Sequence, residues 1–85
     1  MATVIMVIKV YKGGRSYEGA TVKIDRTEEN DESEKYTSKK GEVFFEVEEG
    51  GQVAVYVDGN CSFSGYLYEF TEGYKHEKGL IVRLD

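Results

Sequence analysis

The stretch GEVFFEVEEGGQVAVYVDGN, Gly41 to Asn60, holds two alternating runs joined by Glu-Glu-Gly-Gly and closed by Asp-Gly-Asn. Val43, Phe45 and Val47 fall on one side of the first run, and Val53, Val55 and Val57 on one side of the second. A period of two is the pattern of strands with one face buried. Directly opposed residues of a hairpin share a face. The alternation therefore suggests a pairing of Val47 with Val53, Phe45 with Val55 and Val43 with Val57. The loop would then be Glu49-Gly50-Gly51, with Gly51 supplying the left-handed conformation that such loops need at their last position. In that register Phe44 and Tyr56 face each other on the outer surface, an aromatic pair contributing about 0.2–1 kcal/mol. Asp58-Gly59-Asn60 has the composition of a tight reversal or crossover rather than of a ligand site.

The same alternation extends outward from this stretch. Val4, Met6, Ile8 and Val10 share a face near the start, and Ala20, Val22 and Ile24 share one in GATVKID. An aromatic-rich strand is expected from Phe63 to Phe70, and Leu80, Val82 and Leu84 close the chain. No segment shows a clean helical period. Short strands separated by Gly-rich or polar turns predict an all-β, antiparallel Ig-like or prealbumin-like sandwich of about seven strands. Residues 1–85 form one domain on this reading. The acidic stretch from Asp25 to Glu34 reads as a solvated loop or a ragged hairpin tip.

EGATVKI followed by YTSKKGEVFFEVEEGGQVAVYVDG resembles the carboxypeptidase regulatory-like and Cna-B-like group of prealbumin-type (transthyretin-like) sandwiches. The corresponding features are Gly19-Ala20-Thr21-Val22, then Thr37 through Gly41 to Phe45, then Gly50-Gly51 and Val53 to Val57. The similarity covers roughly Lys9 to Gly59. Val43 stands where that group often has its first aromatic, and proline is absent throughout. The resemblance implies a seven-strand, non-catalytic accessory or adhesion module.

Bulk properties narrow the functional classes. A chain of 85 residues buries only roughly 60–65% of its unfolded surface, so nearly every apolar face serves the core. A ligand pocket of roughly 300 Å³ or more would be costly at this size. The formal net charge is −5, and no basic stripe suits nucleic acid. The run ATVIMVI is too short to span a membrane and has no basic segment before it. One cysteine allows no internal disulfide, which fits a reducing compartment. A cytoplasmic location is expected if Met1 is the native start.

Candidate chemistry is sparse. Cys61 and His76 are the only thiol and the only imidazole. A nucleophilic dyad would need them within hydrogen-bond reach, and no spacing brings them together. Two such ligands also fall short of a zinc site. Asp25, Glu28, Glu29, Asp31, Glu32 and Glu34 could offer oxygen ligands to calcium, but the segment lacks the glycine of the known loop pattern. No catalytic, cofactor or metal residue is therefore assigned. Lys9 and Asp85 are the residues nearest in placement to the isopeptide bond that the Cna-B resemblance would imply. Asn60-Cys61-Ser62 fits the glycosylation pattern, which matters only on a secretory route. Phe63, Tyr66 and Tyr68 could form an aromatic platform for a carbohydrate.

The first strand carries the strongest functional signal. Ile5 and Val7 are apolar on the face opposite Val4, Met6 and Ile8, whereas one side of a two-layer sandwich normally meets water. Phe44 and Tyr56 are further outward aromatics. The expectation is a structural or protein-interaction module without an enzymatic role. It would use Ile5, Val7, Phe44 and Tyr56, or an edge strand, to bind a protein partner or a second copy.

Overall fold

The computed structural model describes residues 3–26, 31–72 and 77–84. The chain forms an all-β sandwich of two packed sheets. Seven of the strands have six or more residues: β1 (Thr3–Lys12), β3 (Thr21–Arg26), β4 (Asp31–Tyr36), β5 (Glu42–Glu48), β6 (Gln52–Val57), β7 (Asn60–Tyr66) and β9 (Glu77–Leu84). Two pieces of two residues, β2 (Arg15–Ser16) and β8 (Thr71–Glu72), extend the first sheet.

β1 is the spine of the first sheet. β9 runs parallel to it on one side, with β8 outside β9, while β5 and β2 pair antiparallel along its other side. The sandwich is thus mixed rather than wholly antiparallel, because the first and last long strands lie side by side in the same direction. The second sheet has the order β4-β3-β6-β7 and is antiparallel throughout.

Alternation places the core between these layers. Val4, Met6, Ile8, Val10, Val43, Phe45, Val47 and Val82 from the first sheet meet Val22, Ile24, Val53, Val55 and Val57 from the second. A 3-10 turn at Leu67–Glu69 follows β7, and its Leu67 is buried together with Phe70. Phe70 also packs edge-on against Phe63, with ring centroids 4.9 Å apart. The aromatic strand expected to reach Phe70 therefore ends at Tyr66, because burying Leu67 and Phe70 three residues apart requires a turn rather than a pleat.

A second expectation is corrected more sharply. β5 and β6 do not form a hairpin: β5 pairs with β1, and β6 pairs with β3 and β7. The segment between them crosses from one layer to the other as an arch. Gly50 and Gly51 both take positive φ (89° and 79°), so the left-handed turn is present although the ladder is not. Arg26, only 3% exposed, closes the arch. Its Nε donates to the Gln52 carbonyl at 3.1 Å and its Nη1 to that of Glu48 at 3.2 Å, while Nη2 donates to the Gly50 carbonyl. These acceptors have no ladder partner across the arch, and the guanidinium supplies them with charge-assisted donors.

The Thr37-to-Gly41 spacing is structural. The buried Thr37 hydroxyl donates to the Tyr17 carbonyl at 2.5 Å and accepts from the Ala20 amide at 2.9 Å. Gly41 has φ +73°, and a Cβ there would lie 2.5 Å from the Val10 carbonyl oxygen. Asp58 and Gly59, with φ 50° and 84°, form the two-residue turn between Val57 and Asn60. The Asp58 carboxylate accepts from the Tyr17 hydroxyl at 2.9 Å and from the Thr21 amide at 3.0 Å. The Asp-Gly-Asn stretch is thus a turn that also clasps the start of β3.

Candidate functional site

The outer face of the first sheet is built by the odd residues of β1 and β9 and the even residues of β5, since their alternate positions fill the core. Register sets them in rows. Phe44, Val7 and Gly79 stand abreast across β5, β1 and β9; Glu46, Ile5 and Glu77 form the row on one side. Glu42, Lys9 and Ile81 form the row on the other.

Ile5, Phe44 and Ile81 are 42%, 50% and 57% exposed, and Val7 lies half-buried among them. The result is an apolar strip with charged residues at both ends. Gly79 has no side chain, so a groove of about 510 Å³ opens there, lined by Val7, Lys9, Phe70, Thr71 and Ile81 among others. Lys9 lies 5.4 Å from the Tyr11 ring centroid, and Arg83 lies 5.0 Å from the same ring. The Tyr11 hydroxyl, as hydrogen-bond partner and then through its charge, raises the Lys9 ammonium above its ordinary value, and Glu42 adds to this.

The predicted contact residues divide between two faces. Ile5, Val7 and Phe44 lie together on the outer face of the first sheet, and Ile81 joins them. Tyr56 lies on the opposite side of the molecule, on the outer face of the second sheet beside Lys23. There it lines a polar hollow of about 440 Å³ with Thr21, Lys23, Asp25, Glu34 and Gly59. The expected Phe44–Tyr56 pair does not exist, because their strands belong to different sheets. Ile81 could have been found from the sequence, since it is apolar at the parity opposite to Leu80 and Val82, as Ile5 and Val7 are in the first strand. That signal was weak without the β1–β9 pairing.

The edges of the sheets differ in protection. The edge strand β4 is mostly charged, with three acids and Lys35 among its six residues, and Lys35 donates to the Phe44 carbonyl of β5 at 2.6 Å, joining two edges across the sandwich. β7 has no charged residue. A bulge opposite the Val55–Tyr56 step distorts it, and the Glu69 carboxylate accepts from the Tyr66 amide at 2.7 Å. Both features blunt a free edge.

The remaining candidates are dispersed. Cys61 is exposed at the start of β7, where its thiol contacts the Phe63 carbonyl at 3.6 Å. His76, Glu28, Glu29 and Asp85 lie outside the described residues, as do the side chains of Asp31 and Glu32. Asp25 and Glu34 flank the hollow beside Tyr56. Among the described residues no group of three His, Cys, Asp or Glu side chains could hold a metal ion. Lys9 is on the outer face rather than in the core, so it lacks the enclosed setting of an isopeptide. Phe63 packs against the core, whereas Tyr66 and Tyr68 are exposed and stack on each other at 5.4 Å. No helix among the described residues is long and apolar enough to cross a membrane. No family model and no curated protein matches the sequence.

Proposed function

We propose that this chain is a non-catalytic structural or protein-interaction module that associates through the outer face of its first sheet. The observation that carries the reading is the apolar strip of Ile5, Val7, Phe44 and Ile81, three of them at least 42% exposed on one face. A domain with so thin a core gains little by leaving branched and aromatic side chains in water, and contiguous apolar surface of this kind marks contact sites. The similarity to carboxypeptidase regulatory-like and Cna-B-like modules supports the same class. The partner on this reading is another protein or a second copy of the chain.

Sedimentation velocity and solubility of wild type and an Ile5→Lys, Val7→Lys double variant test this. The reading expects the wild type to associate and the variant to be monomeric or more soluble. A wild type that stays monomeric, with solubility unchanged by the substitutions, removes the second copy and leaves another protein as the partner. Carbohydrate binding is the second reading, favoured by the exposed Tyr66–Tyr68 stack. It requires tyrosine fluorescence to change on glycan titration, and a flat response across a broad panel removes it.

A further inference from the structure

β9 is the outermost long strand on its side of the first sheet, and β8 covers only its beginning, with Thr71 opposite Gly79 and Glu72 opposite Lys78. From Leu80 to Leu84 no strand among the described residues pairs with that side. The Gly13 amide donates to the Leu84 carbonyl at 3.2 Å, so Leu84 turns its peptide groups toward β1. Successive residues of a strand turn theirs to opposite sides. Leu80 and Val82 therefore also serve β1, whereas Ile81 and Arg83 turn their N–H and C=O groups outward, as Gly79 does toward Thr71.

Side-chain burial agrees with an open edge. Leu80 and Leu84 share the core-facing parity of Val82, yet both are only partly buried, while Met6, Ile8 and Val10 of the adjacent β1 are 0% exposed. The other edges are guarded: Lys35 ties β4 to β5, and β7 carries the bulge and the Glu69 contact. β9 has no such device from Leu80 onward. It pairs with β1 in unbroken register, and Arg83 is the only charge in that segment.

We infer that the edge of β9 from Ile81 to Leu84 takes an extended segment of another protein as an added antiparallel strand. This goes beyond the contact proposed for the outer face, because the backbone of β9 carries it and not the apolar strip. The added strand runs in line with β8, ends where Phe70 begins, and forms hydrogen-bonded pairs with Arg83 and Ile81. Directly opposed residues share a face, so β9 sets the chemistry of the segment. Apolar residues lie inward against Leu84 and Val82, an acid stands beside Arg83, and an apolar residue stands beside Ile81. The last of these adjoins the groove at Gly79, which Phe70 and Val7 help to line.

A second copy does not fit this edge. Pairing β9 with β9 about Ile81 or Val82 would place Arg83 or Leu84 of the copy where Thr71 and Phe70 already stand. Pairing about Arg83 sets two guanidinium groups directly opposite each other. A different edge of the copy would make a heterologous contact that does not close into a dimer.

The test uses the full chain and a capped hexapeptide, Ser-Val-Glu-Val-Ile-Ser. Its control is the same peptide N-methylated at glutamate and isoleucine, which keeps the side chains but removes two backbone donors. In the free protein the Ile81 and Arg83 amides should exchange with solvent faster than those of Leu80 and Val82. The unmodified peptide should shift and protect the Ile81 and Arg83 amides, and the N-methylated one should bind about tenfold or more weakly. Ile81→Pro removes an outward donor but spares the β1 ladder, so it should weaken the unmodified peptide to a similar degree. Ile5→Lys, which disrupts only the outer face, should leave that binding unchanged. Ile81 and Arg83 amides as protected as that of Val82 overturn the open edge. Equal binding of the two peptides to wild type overturns backbone pairing, and that comparison stands even where Ile81→Pro does not fold. Binding lost in Ile5→Lys but indifferent to N-methylation overturns the edge and supports the outer face instead. No binding of the unmodified peptide at millimolar concentration overturns β9 as a strand acceptor.

Discussion

Tyr17 illustrates how single residues fix the loops of this small domain. Its hydroxyl donates to Asp58, and that hydrogen bond, followed by the carboxylate charge and burial, raises the phenol above its ordinary value of 10.0. Between the ordinary value and the raised native one, the folded chain holds a proton that the unfolded chain has lost. The contribution is therefore complete below pH 10 and declines as pH rises through the native value. Thermal unfolding followed from neutral to strongly alkaline pH should show this decline in wild type, and Tyr17→Phe should flatten it. An alkaline limb identical in both proteins would remove the Tyr17–Asp58 contact from the account. Thr37 and Gly41 belong to the same scale. Both were legible as a spacing, but their purpose emerged only from the Val10, Tyr17 and Ala20 backbone atoms that meet them.

At the scale of elements, alternation identified which residues are buried but not which strands are neighbours. Val43, Phe45 and Val47 share a core with Val53, Val55 and Val57 whether they stand side by side in a ladder or opposite one another across two layers. Parity is the same in both cases, and for that reason the arch was read as a hairpin. Arg26 carried the distinguishing information, as a cation closing a run whose other core-facing residues are Val22 and Ile24. Among its partners are three carbonyls of the arch, invisible to any side-chain pattern. Replacing it by methionine retains the bulk of the stem but leaves the acceptors at Glu48, Gly50 and Gln52 unbonded. The expected loss is about 2–4 kcal/mol, read as a lower urea midpoint with an unchanged slope. A midpoint within error of wild type would show that water serves these carbonyls equally well.

At the scale of the whole molecule, the sandwich and its core followed from period-two patterning. The parallel β1–β9 pairing did not, because strand order depends on long-range contacts that local alternation does not encode. That pairing turns scattered apolar residues into a surface, bringing Ile81 beside the Ile5, Val7 and Phe44 group and opening the groove at Gly79. Tyr56, equally outward by parity, is separated from them by the full thickness of the sandwich. The most direct test follows backbone amide and methyl NMR shifts from dilute to concentrated protein at low salt. The account predicts concentration-dependent shifts at Ile5, Val7, Lys9, Phe44, Gly79 and Ile81, with Tyr56, Asp25 and the β7 edge unchanged. None at any concentration would remove the second copy as the partner, and shifts confined to Tyr56 or β7 would contradict it.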